Sequence, residues 1–321
     1  MDKLSNQFEM KIVVGNSNPI LAKEIQDYLE GGFVPIVIKK FSDGETYVKI
    51  EENVRGRDVF VIQSTCPPVN ENLVELMIII DALKRASAAR ITAVIPYYGY
   101  SRQDRKVVSR EPISAKLVAN LITASGADRV LSVDLHCGQL QGFFDIPLDH
   151  LTAISILVNE IKSRNFKDAV IVSPDAGGTK KARRFAEALN LPMALLDKRR
   201  VGHNEISDNI NVIGELEGKT ALIVDDMIDT AGTMSLSCKA LMAKGAREVF
   251  VLATHPVFSG SAVEKLNIPE IKEVIVTNTV PIVDEKKFKG LKVLSIAPLI
   301  AEGIERIHNH ESLSELFNGE K

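Results

Sequence analysis

Short apolar runs alternate with helical patterns along almost the whole of this chain, and that alternation limits its folds more than any other feature. "KIVVGN" (11–16), "VPIVIKKF" (34–41), "TYVKIE" (46–51), "DVFVIQS" (58–64), "RITAVIPYY" (90–98) and "RVLSVDL" (129–135) read as strands. Residues 19–30, 71–86 and 113–127 carry apolar residues at helical spacing, the first opening on Pro19, which suits a first helical turn. The spacing then predicts helices over 152–164, 179–189 and 233–244, and strands over 169–173, 193–197, 220–225, 248–254 and 273–277. A strand and a last helix lie within "KVLSIAPLIAEGIERIHNH" (292–310). Unbroken apolar runs suit parallel strands covered on both faces. Strands joined through helices make a doubly wound α/β architecture.

The 321 residues suffice for two domains of about 150 residues each. No Gly/Ser/Pro linker separates them, so the boundary is placed near 150, before the helix at 152, giving halves 1–150 and 151–321. Residues 58–96 and 220–256 share one pattern: strand, loop, helix, then a basic residue and a strand ending in proline. Where these align, Gln63 and Ser64 stand opposite Asp225 and Asp226. An internal duplication and two independent α/β units both account for that.

The net charge of −3 gives no overall basic bias toward nucleic acid or an anionic membrane, so any anion site is built locally. Cys66, Cys137 and Cys238 are odd in number and far apart, which reads as reduced thiols in a cytoplasmic protein. "MDKLSNQFEM" lacks the apolar run of a signal peptide, and no apolar run has the length of a membrane span. The absence of tryptophan argues against the stacking platforms of single-strand binders.

The chemistry concentrates in a few loops. "VDDMIDTAGT" (224–233) places Asp225, Asp226 and Asp229 where a buried strand ends, then Thr230, Ala231, Gly232 and Thr233 ahead of a helix. In a doubly wound fold, ligands sit beyond the carboxyl ends of the strands. Adjacent carboxylates repel, and sugar hydroxyls are suitable donors to them. Small residues at a helix start let amide N–H groups reach an anion. A carboxylate pair followed by such amides suits a sugar phosphate. The plainer reading has Asp229 or Thr230 capping the helix and the other acids solvated.

"VSPDAGGTKKA" (172–182) offers a second cradle, with Asp175 as an acid for Mg²⁺, and lacks the P-loop pattern. A plain strand–turn–helix connection is its alternative. In "LLDKRRVGHNE" (195–205), Lys198 and Arg200 share one side of an extended segment. The polar stretch that follows reads either as a lid bringing cations to a phosphoryl group or as a solvated basic cluster. In "DLHCGQLQGFFDIPLD" (134–149), Asp134 and His136 share a face if the strand continues. They suit a divalent cation or a phosphate, although a histidine at a strand end is often structural. "FSDGE" (41–45) alone is an Asp-Gly turn between strands, and "YSRQDRK" (100–106) a solvated loop.

Together these stretches resemble known families. Residues 224–233 resemble the phosphoribosyl-diphosphate loop of type I phosphoribosyltransferases. Residues 134–149 resemble the signature of ribose-phosphate diphosphokinases, departing at Cys137, Gly138 and Leu140. The resemblance runs over nearly the whole chain in family order, and the chain is identified as a member of the classical, phosphate-activated type. It implies two similar type I phosphoribosyltransferase-like domains, each a mostly parallel sheet flanked by helices, commonly assembled as a homohexamer. The implied reaction moves the diphosphoryl group of ATP to O1 of ribose 5-phosphate.

The same resemblance implies the site residues. Phe41, Asp43, Gly44, Glu45, Arg102 and Gln103 contact ATP, and His136 and Asp175 contact Mg²⁺. Lys198 and Arg200 act on the moving group. Arg200, Asp225, Asp226, Asp229, Thr230, Ala231, Gly232 and Thr233 bind ribose 5-phosphate. Phosphate and ADP are implied as effectors. Within "ENVRGRD" (52–58) Arg55 is retained, but Asn53 stands where the family often has serine. A phosphoribosyltransferase has no reason to keep residues 134–149, and a ligand-sensing repressor needs a DNA-binding segment, which the sequence lacks. An inactive subunit would have lost Lys198, Arg200 or the acidic loop.

Overall fold

A computed structural model of the protein describes residues 9–29, 31–200 and 206–317, with backbone alone at 198–200, 206–209 and 317. In the first half, β1 (Met10–Val14), α1 (Pro19–Tyr28), β2 (Ile36–Lys40), β3 (Thr46–Ile50), β4 (Asp58–Ile62) and α2 (Val69–Arg85) lead to β5 (Arg90–Ile95). Next come α3 (Ser114–Ser125), β6 (Arg129–Val133) and β7 (Leu148–Leu151). The second half holds α4 (Ile154–Ser163), β8 (Ala169–Ser173), α5 (Thr179–Leu189), β9 (Met193–Arg200), β10 (Ile206–Ile213) and β11 (Thr220–Ile228). It closes with α6 (Gly232–Ala243), β12 (Glu248–Pro256), α7 (Ala262–Leu266), β13 (Ile271–Thr277), β14 (Leu291–Leu294) and α8 (Ala297–His308).

These elements form two compact α/β units. The first takes in the chain to Thr152, Thr279–Pro281 and the segment from Ser295; the second takes in Ala153–Asn278 and Ile282–Leu294. The first has a five-stranded parallel sheet in the order β1-β4-β5-β6-β7, with β2 and β3 as a separate antiparallel hairpin. The second repeats the parallel order as β8-β11-β12-β13-β14, and β9 and β10 extend its edge.

Strand periodicity explains why both faces are covered. In β11, Ala221 and Ile223 join one core cluster with Met234, Cys238 and Leu241 of α6. Their neighbours Leu222 and Val224 join the other, with Leu157 and Ile161 of α4 and Phe185 of α5. Successive side chains leave opposite faces of a strand, so an unbroken apolar run serves two helical layers at once. In the first unit, Val59 and Val61 of β4 pack with Leu76, Ile79 and Leu83 of α2 and Val118 and Ile122 of α3.

β7 and α7 are absent from the sequence reading, and two further elements depart from it. The polar stretch after 205, read as a lid, includes β10, antiparallel to β9 with an irregularity between Ile206 and Ile210. Ile210 and Val212 rest on the apolar core, which holds a strand otherwise rich in Asn and Asp. The last helix, read with the second half, belongs to the first unit. There α8 packs on α1, and a Cβ at its Gly303 would stand 3.2 Å from Leu151 and 3.3 Å from Leu131. Asp58, buried at the start of β4, fixes the end of α8. It accepts from Arg90 Nε at 2.7 Å and meets His308 Nδ1 at 2.8 Å, while Arg90 also donates to Ile307 O at 3.1 Å.

Removing one member of a buried ion pair strands the other, at a cost of about 3 kcal/mol. Asp58→Ala is therefore expected to lower unfolding free energy by about that amount in urea denaturation; a loss under about 1 kcal/mol, the size of an exposed pair, would contradict the role given to Asp58.

Candidate active site

In the second unit, β9, β8 and β11 are parallel neighbours, with Ser173 opposite Leu195 and Val172 opposite Ile223. The register puts three segments at the carboxyl end of the sheet: residues 174–178, the last residues of β9, and the acidic stretch of β11. Lys198 and Arg200 lie on β9 by backbone; their side chains, and residues 201–205, fall outside the described residues.

β11 runs three residues past its predicted end, so Asp225 and Asp226 lie on the strand, and Asp225 is paired with Ala253 of β12. Asp226 is buried and forms an ion pair with Lys181 Nζ of α5 at 2.9 Å. The Asp226 N–H donates to Asp225 Oδ1 at 2.8 Å. Burial, and then the charge on Asp226, push the Asp225 carboxyl up to about 7, against the pull of Lys181. Lys181 is the partner the carboxylate pair needs, and the sequence reading missed it. In "GGTKKARR" nothing separates it from Lys180 until the start of α5 is fixed.

Beyond the strand, the carbonyl groups turn to other partners. Ile228 O accepts from Phe258 N and Asp229 O from Ser259 N, both at 3.0 Å, and Thr230 O from Lys265 Nζ at 3.3 Å. Ala231 takes a left-handed conformation (φ 56°) and caps α6, which opens at Gly232, one residue earlier than predicted. The first ladder bond is Ser235 N to Ala231 O, 2.9 Å. Alanine offers no capping oxygen, so the N–H groups of Gly232, Thr233 and Met234 form the donor end of the helix. Asp229 and Thr230 precede the cap rather than occupying it.

The loop after β8 is held by its own groups. Asp175 Oδ1 accepts from Gly178 N at 2.9 Å, Ser173 Oγ donates to Asp175 O at 2.7 Å, and Thr179 Oγ1 donates to Ala176 O at 2.8 Å. One oxygen of Asp175 thus shapes the loop, while the side chain remains exposed.

The first unit carries the other expected residues. β6 ends at Val133, and Asp134 turns into the left-handed region (φ 38°), buried against Thr152 Oγ1 at 2.9 Å. Asp134 and His136 therefore do not share a strand face: Asp134 serves the fold and His136 is exposed. Gln103 is tied to the start of α3, its Oε1 accepting from Ser114 Oγ at 2.6 Å and its carbonyl from Ala115 N at 3.2 Å. Arg102 is exposed beside it. The Cys137 thiol donates to Asp104 Oδ2 at 3.2 Å, joining residues 100–106 to the His136 loop, a link absent from the sequence reading. Residues 41–45 form the tip of the β2–β3 hairpin. Asp43 Oδ1 accepts from Glu45 N at 3.1 Å, Gly44 sits at φ 96°, and exposed Phe41 stands edge-on to Tyr47 at 5.7 Å. The described residues hold no group of three or more His, Cys, Asp or Glu side chains arranged for a metal, and no helix long and apolar enough to cross a membrane.

Comparison with known proteins defines the class. Residues 10–126 match the N-terminal domain of ribose phosphate pyrophosphokinase, and residues 201–318 the phosphoribosyl synthetase-associated domain. The chain is 52% identical to the ribose-phosphate pyrophosphokinase of Synechocystis over 318 residues, covering 99% of this chain and 95% of that one. It is 52% identical to the Bacillus subtilis protein of that name, covering 98% and 100%. The phosphoribosylpyrophosphate synthetase structure from Mycobacterium smegmatis superposes with a TM-score of 0.90 at 43% identity, covering 94% of this chain and 99% of that one. The chain belongs to the ribose-phosphate pyrophosphokinase family.

The raised Asp225 carboxyl has a stability consequence. Its native value lies above the ordinary 3.8, so between about pH 4 and 7 the folded state holds a proton that the unfolded state has lost, and stability falls as pH rises through that window. Asp225→Asn is expected to gain stability relative to wild type as pH rises from 4.5 to 8 in paired urea titrations; parallel curves would refute the assignment.

Proposed function

We infer that the chain transfers the diphosphoryl group of ATP to O1 of ribose 5-phosphate, giving phosphoribosyl diphosphate and AMP for nucleotide biosynthesis, and that its two units divide the work. The observation that carries the division lies at the carboxyl end of β11: a carboxylate pair held by Lys181, then a helix start capped by an alanine without a side-chain hydrogen bond. Asp225 and Asp226 accept from the ribose hydroxyls. The amides and hydroxyls of residues 229–233 take the 5-phosphate. Arg200 approaches the same sugar phosphate, and residues 174–178 cradle the diphosphate.

The first unit holds the nucleotide. Phe41 offers its ring to the adenine, Asp43, Gly44 and Glu45 offer polar groups beside it, and Arg102 and Gln103 meet the triphosphate. The anomeric hydroxyl oxygen attacks the β-phosphorus in line. The bond from that phosphorus to the α-phosphate oxygen breaks, AMP departs, and the hydroxyl proton is lost. Such a transfer needs positioning and charge compensation more than covalent help. Lys198 and Arg200 supply positive charge where it develops.

His136 and Asp175 are the side chains offered to Mg²⁺. The exposed Asp175 carboxylate suits an ion that is commonly bound through one or two carboxylates, substrate phosphates and water. Bound Mg²⁺ neutralises phosphate oxygens and fixes their orientation. The reading extends to a cytoplasmic homohexamer activated by phosphate and inhibited by ADP. Asn53, which stands where the family often has serine, accepts from Arg55 N at 3.0 Å through its Oδ1, and the reading includes ADP inhibition that is weakened or altered by that replacement.

AMP formation from ATP that requires both ribose 5-phosphate and Mg²⁺ is the decisive assay; AMP released without the sugar phosphate would sink the reading. Lys198→Ala is expected to lower kcat by about a hundredfold or more with the KM for ribose 5-phosphate largely kept, and a near-normal kcat would exclude Lys198 from the transfer. Asp226→Ala is expected to raise the KM for ribose 5-phosphate about tenfold or more; an unchanged KM would move the sugar elsewhere.

A further inference from the structure

Among the described residues of the first unit, a closed circuit of hydrogen bonds surrounds the loop expected to meet the ATP phosphates. It begins at Gln103, whose side chain and carbonyl grip the first turn of α3 through Ser114 Oγ and Ala115 N. One residue into that turn, Lys116 Nζ donates to Phe143 O at 2.6 Å. Phe143 ends the short 3₁₀ helix Gly138–Phe143, which directly follows Cys137. Leu140 N returns to Cys137 O at 3.2 Å, and the Cys137 thiol closes the circuit on Asp104, the residue after Gln103.

We propose that Cys137 and Asp104 are positioning residues for ATP: their hydrogen bond holds the Arg102–Gln103 loop and the His136 loop in one fixed relation. The inference rests on the nucleotide reading given above. Cys66 and Cys238 are fully buried, whereas Cys137 is half-buried with its Sγ–H aimed at a carboxylate. Packing alone does not call for that direction. Neither residue touches the reacting atoms; they act through the backbone they join. Gln103 and Lys116 anchor the circuit to α3, and the thiol–carboxylate bond joins residues 100–106 directly to the segment carrying His136. Arg102 and His136 lie on exposed loops, where small backbone movements go uncorrected by core packing. A link between two such loops limits the rearrangement needed when a triphosphate binds both, which is how preorganisation raises affinity.

The test compares Cys137→Ala, Cys137→Ser, Asp104→Ala and the Cys137→Ala/Asp104→Ala double variant in the full chain. It reads the KM for ATP, the KM for ribose 5-phosphate, and equilibrium binding of the α,β-methylene analogue of ATP by calorimetry. Each alanine variant is expected to weaken analogue binding and raise the KM for ATP about two- to fivefold, with the KM for ribose 5-phosphate unchanged. Cys137→Ser keeps a donor and loses the sulfur's bulk, so it is expected to restore ATP affinity. The double variant is expected to be no worse than the weaker single variant, because both remove one bond.

Arg102→Ala separates the two levels of inference. An unchanged KM for ATP in that variant overturns the nucleotide reading and this proposal with it. A rise there without one in Cys137→Ala overturns this proposal alone. Multiplying effects in the double variant, or a serine variant as weak as the alanine one, would assign Cys137 to packing and likewise overturn it. Thermal melts identify a variant that fails to fold, in which case Cys137→Ser, which keeps a donor, against Cys137→Val, which fills the site without one, carries the same comparison.

Discussion

The ion pair between Lys181 and Asp226 is the interaction on which the polar end of the second unit's sheet depends. A carboxylate on a buried strand is costly unless something compensates it, and here two stand in succession. Lys181 reaches from the first turn of α5 and neutralises one at 2.9 Å, and the carboxyl beside it holds its proton more tightly. That compensation lets an apolar strand run from the core into a polar rim without breaking its pairing to β12. It also draws the loop after β8 and the end of β11 together, because α5 begins where the former closes. This end of the sheet is therefore held by the chain's own groups, with opposite charges 2.9 Å apart.

Much of this could be read from the residues. The parallel strands were legible because Ala221–Val224 and Val249–Leu252 are apolar at every position, which a strand with one wet face does not permit. The loop 225–233 was legible because acids and small residues follow that run directly. β10 was not legible: Ser207, Asp208, Asn209 and Asn211 mask an alternation that becomes meaningful only where Ile210 and Val212 find the core. Lys181 and the Cys137–Asp104 bond escaped because both depend on side chains distant in sequence. The placement of α8 escaped for the same reason, since its apolar residues fit any sheet of the right width and only packing selects one. Asp134 illustrates the opposite error. Spacing of two suggested a shared face with His136, but the strand ends at Val133, two residues short of the expected end, and Asp134 takes a left-handed conformation.

The two units show how one architecture accepts different tasks. Both present an antiparallel pair between the first two strands of the parallel sheet, yet in the first unit it stands apart as a hairpin and in the second it widens the sheet. At the paired positions, Gln63 in the first unit donates to Glu75 Oε1 at 2.8 Å and Asn72 O at 3.2 Å, spending its polar groups inside the fold. Asp225 and Asp226 in the second keep theirs at the rim. The strands also end differently, since β4 stops at Ile62, before Gln63, whereas β11 carries Asp225 and Asp226 within its pairing and runs on to Ile228.

The reciprocal placement of α4 and α8 affects the order in which the protein is made. Each follows the strands of one unit and completes the other, so the amino-terminal sheet waits, with an apolar face uncovered, for a helix synthesised about 150 residues later. At typical translation speeds that interval is on the order of ten seconds. During it the nascent chain presents Leu131 and Leu151 without their eventual cover, and it is a candidate for chaperone protection until the segment carrying Gly303 leaves the ribosome.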